Sequence, residues 1–268
     1  MTPEFTGTGD PAKSLALLWR KAATPAADGG STPPRRGRKS SLTVDQIVET
    51  GVAIADREGL AALSMRRVAE ELGVGTMSLY THVPGKAELL DVMFDTVQAE
   101  VEGPQGVAGG WRAKLEHVAR ENRALHLRHP WVLQVAATRP PLGPGTSGKY
   151  EAELHAVEGL GLPDVELDAV LTLVLGFVAG AVRGAVESVQ LEQQTGMTDA
   201  QWWAAHAPIL ARVMDGERYP LSARIGAAAG EAHQAASDPD HAFEFGLARV
   251  LDGIEAYVAA HASHAGEG

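Results

Sequence analysis

Residues 63–83 read LSMRRVAEELGVGTMSLYTHV, and their spacing decides the fold of the N-terminal third. Ser64 stands just before a helical run, where a serine hydroxyl can accept from the free backbone N–H groups of a helix start. Leu63 and Val68 flank it at staple spacing. Val68, Ala69 and Leu72 then share one helical face. Gly73 ends the helix, because glycine enters the left-handed turn without steric cost. After Gly73-Val74-Gly75 the pattern predicts a short helix from about Thr76 to His82, broken by Val83-Pro84-Gly85. A small residue at the crossing (Ala69), a glycine turn and an inward apolar residue (Leu79) are the requirements of a helix-turn-helix.

The flanks extend this unit. Thr43-Val44-Asp45-Gln46 is a capping box, and Ile47, Val48, Gly51, Ile54 and Ala55 follow at helical spacing up to a stop at Gly59. A fourth helix begins near Lys86, with Leu89, Leu90, Met93, Phe94 and Val97 as its apolar stripe. The second helix of the motif offers Thr76, Met77, Ser78, Tyr80, Thr81 and His82 outward. Hydroxyls reach phosphates or base edges, methionine can meet a thymine methyl, and Tyr and His donate to phosphate oxygens. Arg66 is placed for a base edge or a phosphate, and Lys86 for a phosphate. The competing reading makes all of these ordinary exposed residues of a small helical bundle.

Charge is distributed to match. The 268 residues carry a net charge of −11, unusual for a DNA binder. Arg35–Leu90 holds eight basic against seven acidic residues, whereas Asp91 onward holds twelve against twenty-four. Such segregation suits a module that meets phosphates joined to one that does not. The absence of cysteine excludes disulfide scaffolds and Cys-based zinc sites and fits a cytoplasmic protein. Leu15 to Trp19 is too short for the apolar core of a signal peptide. The longest apolar run, Ala169 to Val182, falls short of the about 20 residues of a membrane span and reads as a buried helix, with no membrane partner.

Residues 1–41 are rich in Gly, Pro, Ser, Thr and Ala and read as a flexible tail ending in Arg35, Arg36, Arg38 and Lys39. That basic run is either a solvated linker or an arm that follows phosphates or the minor groove. Leu15, Leu17, Leu18 and Trp19 form its one apolar patch, suited to a short docking helix. Residues 42–90 form the helix-turn-helix domain, and 91–268 a larger helical domain. Within the latter, segments near 111–128, 130–137, 147–160, 165–192, 198–214 and 240–260 have helical character, and no stretch alternates as a strand. The expected fold class is all-α.

The stretch LTVDQIVETGVAIADREGLAALSMRRVAEELGVGTMSLYTHVPGKAELLDVM resembles the DNA-binding domain of the tetracycline-repressor (TetR) family. Gly59-Leu60, Leu63-Ser64-Met65-Arg66, Val68-Ala69, Leu72-Gly73-Val74, Leu79-Tyr80, His82-Val83, Lys86 and Leu89-Leu90 carry the resemblance. It implies a homodimer on a near-palindromic double-stranded operator, with one recognition helix per half-site. It also implies an all-α C-terminal domain that dimerises and binds a small-molecule ligand. The family's DNA contacts fall here on Ser64, Arg66, Gly75, Thr76, Met77, Ser78, Tyr80, Thr81, His82 and Lys86. His129-Pro130-Trp131, Thr138-Arg139-Pro140 and the last helix resemble the tetracycline-repressor C-terminal half. Val135 stands where tetracycline repressors carry a drug-chelate histidine, so no metal–tetracycline complex and no cofactor is expected.

Two further features bear on assembly and ligand. Gly176, Gly180 and Gly184 form a small-residue ladder, serving internal packing or a dimer seam. Phe243, Leu247, Val250, Leu251, Ile254 and Val258 make a stripe wider than one neighbour needs, and the resemblance places both helices at a four-helix interface. Trp111, Trp131 and Phe177 are candidate pocket surfaces, with Arg123, His126, Arg139 and Arg183 as polar anchors. No nucleophile elbow, P-loop or dinucleotide fingerprint points to an enzyme. The His126/His129 pair reads as a helix end rather than a metal site. The resulting reading is a ligand-released repressor, with a ligand-independent regulator or an activator as the alternative.

Overall fold

The computed structural model describes residues 4–21, 42–136 and 139–265. The chain packs as two compact units, Met1–Leu160 and Gly161–Gly268. The described residues are all-α apart from one pair of two-residue strands.

The first unit contains α2 (Val44–Glu58), α3 (Met65–Leu72), α4 (Thr76–Tyr80) and α5 (Lys86–Gln98) around one core. The capping box starts α2: Gln46 N donates to Thr43 Oγ1 and Thr43 N to Gln46 Oε1. Ser64 caps α3 by accepting from Arg67 N at 3.1 Å. Gly73 closes α3 with φ 66° and ψ 31°, the left-handed turn expected of it. Gly51 allows α2 and α5 to touch, since a Cβ there would lie 2.8 Å from Met93 Sδ. Ile47, Ile54, Leu63, Val68, Leu79, Leu89 and Met93 are buried between the helices. Each such side chain contributes about 1.5–3 kcal/mol of apolar burial. The unit continues with α6 (Trp111–Arg128), a 3-10 turn (Pro130–Gln134) and α7 (Pro144–Leu154).

The segment read as a flexible tail is folded over residues 4–21. Glu4–Phe5 forms strand β1, paired in parallel with β2 (Val135–Ala136), and Pro11–Leu18 forms helix α1 against α5. Asp10 accepts from Ala12 N and Lys13 N, and Pro11 occupies the first helical position, where no N–H is needed. The segment is held by buried carboxylates on α5. Glu88, Asp91 and Asp95 lie on one buried face. Asp91 accepts from Gly7 N and Ser14 Oγ, Glu88 from Asp10 N, and Asp95 from Gly145 N and Thr146 N. Buried carboxylates persist only with such donors. The basic run Arg35, Arg36, Arg38 and Lys39 lies outside the described residues.

The second unit consists of α8 (Asp164–Thr195), α9 (Asp199–Val213), α10 (Pro220–His233) and α11 (Pro239–Ala265). Helices α8 and α11 run antiparallel, with Phe177 stacked on Phe243 at 5.9 Å and Tyr257 donating to Glu166 at 2.7 Å. Helix α8 is long and apolar enough to cross a membrane. It is not the wholly buried helix expected from Ala169–Val182: Val170, Val174, Val178 and Val182 face inward, while Leu173, Gly176, Gly180 and Arg183 are exposed. Two other expectations change. Of the segment 130–137, the described residues Pro130–Ala136 form a 3-10 turn and a strand, because Pro130 follows the end of α6, and α10 forms where no helix was read.

Candidate DNA-binding surface and effector cavities

The helix-turn-helix presents a continuous outer face. Helix α4 is one turn long, and Thr81 and His82 follow it in a turn rather than inside the helix. Leu79 is fully buried and Val83 closes the core behind it. This fixes the opposite side of the turn outward: Met77 is 76% exposed, Tyr80 is half-exposed, and Ser78 and Thr81 are exposed. Thr76 and His82 are half-buried at its edges. Thr81 Oγ1 donates to Ser78 O at 2.7 Å, so its own position is set before any ligand arrives. Gly75 precedes the helix and is exposed, and Ser64 is exposed at the start of α3.

The neighbouring arginines have different duties. Arg67 donates to Glu58 at 2.8 Å and pairs with Glu71 at 2.8 Å, tying α3 to α2. Arg66 projects outward with its side chain 82% exposed and Glu70 at 3.7 Å. An arginine presented in this way can fork onto guanine or a phosphate. Lys86 opens α5, but its ammonium lies 2.6 Å from Glu4 Oε1.

A polar cluster built around buried His129 holds α2 to the end of α6. His129, at the C-cap of α6, is 5% exposed. Its Nδ1 lies 2.8 Å from Asp56 Oδ1 and its Nε2 3.1 Å from Glu100 Oε2. Trp131 Nε1 donates to the same Asp56 oxygen at 2.8 Å, and Arg128 to Glu100 at 2.7 Å. Burial alone would raise the Glu100 carboxyl. The Arg128 and His129 hydrogen bonds outweigh it and hold the group below the usual carboxylate range. Both ring nitrogens of His129 are thus engaged by carboxylates, which accounts for it without a metal.

The expected pocket residues are placed differently from one another. Trp131 is 1% exposed and serves the Asp56 cluster, so it is a packing residue rather than a pocket wall. Phe177 is committed to Phe243 and fills the space above Gly246. Arg183 is exposed on α8, and Arg139 is exposed with its carbonyl accepting from Thr6 Oγ1. Trp111, Arg123 and His126 are half-buried on α6. None of these borders either described cavity. One cavity, of about 670 Å³, lies between α9 and α10. Trp203, Leu210 and Met214 face the small residues Ala223, Gly226 and Ala227 across it, with Glu231 and Gln234 as polar members. The second, about 370 Å³, is a groove between α8 and α11 lined by Leu173, Val250, Gly253 and Tyr257 among others.

The expected dimer stripe needs correction. Phe243, Leu247, Leu251 and Ile254 are buried against their own unit, so they cannot offer side chains to a second subunit. Val250 and Val258 are half-buried. The glycine ladder is different: Gly176, Gly180 and Gly184 are exposed, and a Cβ on any of them would meet nothing within 4 Å. Leu173, Phe245 and Tyr257 are exposed on the same pair of helices. Sequence reasoning passed over these three. Phe245 and Tyr257 lie off the single stripe read on α11, and Leu173 lies within the run of α8 read as buried.

Known proteins resemble the chain in both halves. Residues 47–93 match the family model for bacterial regulatory proteins of the tetR family, and 103–258 the tetracycline-repressor-like C-terminal domain. The chain is 48% identical over 257 residues to the HTH-type transcriptional repressor DrrR1 of Streptomyces coeruleorubidus, covering 96% of this chain and 90% of that one. Among solved structures it is similar to ActR of Streptomyces coelicolor in complex with actinorhodin. That match has 32% identity and a TM-score of 0.67, and covers 81% of this chain and 97% of that one. The same protein in complex with (S)-DNPA matches at 31% identity and TM-score 0.66, covering 81% and 99%.

Proposed function

As a member of the tetracycline-repressor family, the chain is a DNA-binding transcriptional regulator, and we propose that it represses as a cytoplasmic homodimer released from a near-palindromic operator by an apolar small molecule. The outer face of the helix-turn-helix carries this reading. Met77, Ser78, Tyr80 and Thr81 point away from a core locked by Leu79, and Arg66 stands free of the Glu58–Glu71 network that uses Arg67. Two such faces related by a two-fold axis suit successive major grooves about 34–36 Å apart.

The exposed glycine ladder on α8, with Leu173 and Tyr257 nearby, supports the subunit contact. Release follows from a ligand that prefers a conformation with displaced recognition segments. Helix α5 is the proposed connector. Its Asp95 holds the start of α7, and Glu100, beyond its C-terminal end, belongs to the His129 cluster that reaches Asp56 on α2. The apolar cavity between α9 and α10 supports an apolar effector surface, and a relative solved with actinorhodin and with (S)-DNPA supports a small-molecule effector.

Footprinting on DNA flanking the chain's own gene, followed by titration of the protected duplex, tests the contact surface. Tyr80→Ala is expected to weaken binding to every sequence. Arg66→Ala is expected to cost about 1–3 kcal/mol and to relax base preference at one position of each half-site. Unchanged affinity and preference in both variants would remove this face from the DNA.

A further inference from the structure

We propose that residues 4–19 form an autoinhibitory strap in which the Glu4 carboxylate occupies the Lys86 ammonium and thereby competes with a DNA phosphate. This rests on the reading of Lys86 as a phosphate contact.

The strap is attached at several independent points. Its first residues pair with Val135–Ala136, and Thr6 Oγ1 donates to Arg139 O at 2.9 Å. Gly7 N donates to Asp91 Oδ1 at 2.9 Å, and Ser14 Oγ to Asp91 Oδ2 at 2.9 Å in a buried setting. Asp10 N donates to Glu88 Oε1 at 3.1 Å, and Trp19 Nε1 to Leu142 O at 2.8 Å. A Cβ on Gly9 would lie 2.5 Å from Glu88 Oε1, so a glycine is what lets the strap lie on α5. These bonds set the path of the backbone and bring Glu4 to the first turn of α5.

That turn is a site for an anion. The N-terminal end of a helix carries partial positive charge, which disfavours a lysine there unless a negative group accompanies it. Glu4 supplies one, 2.6 Å from Lys86 Nζ. A DNA phosphate approaching Lys86 would meet the Glu4 carboxylate at close range, and two anions on one ammonium repel. DNA contact through Lys86 therefore requires Glu4 to leave. Both side chains are about one-third or more exposed, so the pair attenuates affinity rather than blocking it. The same strap holds Val135–Ala136 and the carbonyls of Arg139 and Leu142, so displacement of that stretch is passed to Glu4.

Glu4→Gln keeps the size of the side chain and removes the charge. Titration of the operator duplex at low salt is expected to show about three- to fivefold tighter binding. The slope of log affinity against log salt should steepen by about 0.9 for each subunit, the signature of one further phosphate contact. Both effects should vanish in the Glu4→Gln/Lys86→Gln double variant. If Glu4→Gln changes neither affinity nor slope while Lys86→Gln weakens binding, the strap proposal is overturned and the phosphate contact stands. If Lys86→Gln has no effect even without the Glu4 charge, the phosphate contact fails and takes the strap with it. If Glu4→Gln tightens binding equally with and without Lys86, Glu4 acts through general charge and the competition is refuted.

Discussion

The helix-turn-helix region and the second unit treat apolar surface in opposite ways. Between Val44 and Gln98, the large apolar side chains left exposed are Met77 and Tyr80, both on the face assigned to DNA. In the second unit, Leu173, Val189, Trp202, Ile209, Leu221 and Phe245 are all exposed. The first region satisfies its own core and leaves its exposed apolar side chains on the face proposed for recognition. The second leaves much of its apolar surface bare, α9 burying no residue at all, which in water marks a surface completed by something else. The regulator's two tasks therefore have different physical requirements. Reading DNA needs a rigid, finished module, whereas joining subunits needs an unfinished one.

The largest effect should come from breaking that asymmetry in the second unit. Leu173→Glu places a carboxylate on the exposed rim of the α8–α11 groove, where the wild-type side chain has little to lose within its own subunit. Across a two-fold contact the two carboxylates would face apolar surface, so dimers should dissociate. Sedimentation at micromolar concentration should then report monomers with unchanged helicity. Operator affinity should fall about 10²–10⁴-fold, because the second half-site is no longer bound as a tethered event. Dimers of undiminished stability would move the subunit contact off this face.

An intermediate effect is expected inside the first unit. Trp131→Phe preserves apolar bulk but removes the N–H that donates to Asp56. The loss should be about 0.5–1.5 kcal/mol by chemical denaturation, the net worth of one hydrogen bond to an acceptor that water can still reach. His129 still donates to Asp56, which keeps the effect toward the lower end. The oligomeric state should not change. If the variant instead kept full stability and lost its response to inducer, Trp131 would be a pocket wall after all.

Legibility in the sequence followed the same division. The helix-turn-helix was readable because its signals are local: Thr43 and Gln46, Ser64, Gly73 and the inward Leu79 each act within a few residues of their partners. The second unit was less so. Phe243 and Phe245 are both aromatic residues of one helix, and only the position of α8 decides that the first is buried and the second exposed. Three carboxylates were silent in the same way. Nothing local marks Glu88, Asp91 and Asp95 as buried, since their donors lie 50 to 84 residues away. The strap itself did leave a local mark, since Asp10-Pro11 is a helix start, but its composition resembles a tail. Trp131 gave no sign of its partner, because Asp56 lies 75 residues distant.

The smallest effect tests how the finished module holds its helices at a surface. Glu58 accepts from Arg67 and from Arg57, and these two guanidiniums lower its carboxyl from 4.5 to about 2. A folded-state value below the unfolded one means that the ionised form is favoured by folding. The contribution is complete above about pH 4.5 and disappears as pH falls through about 2. Glu58→Gln should therefore lower the melting temperature slightly near neutrality. The gap from wild type should close progressively between those two values. Because the network is exposed, added salt should narrow the gap at neutral pH as well. A deficit that persisted unchanged at pH 2 and in high salt would assign the loss to packing of the α2–α3 corner rather than to charge. Arg67 would then be positioned by shape, and its difference from the outward-facing Arg66 would no longer be electrostatic.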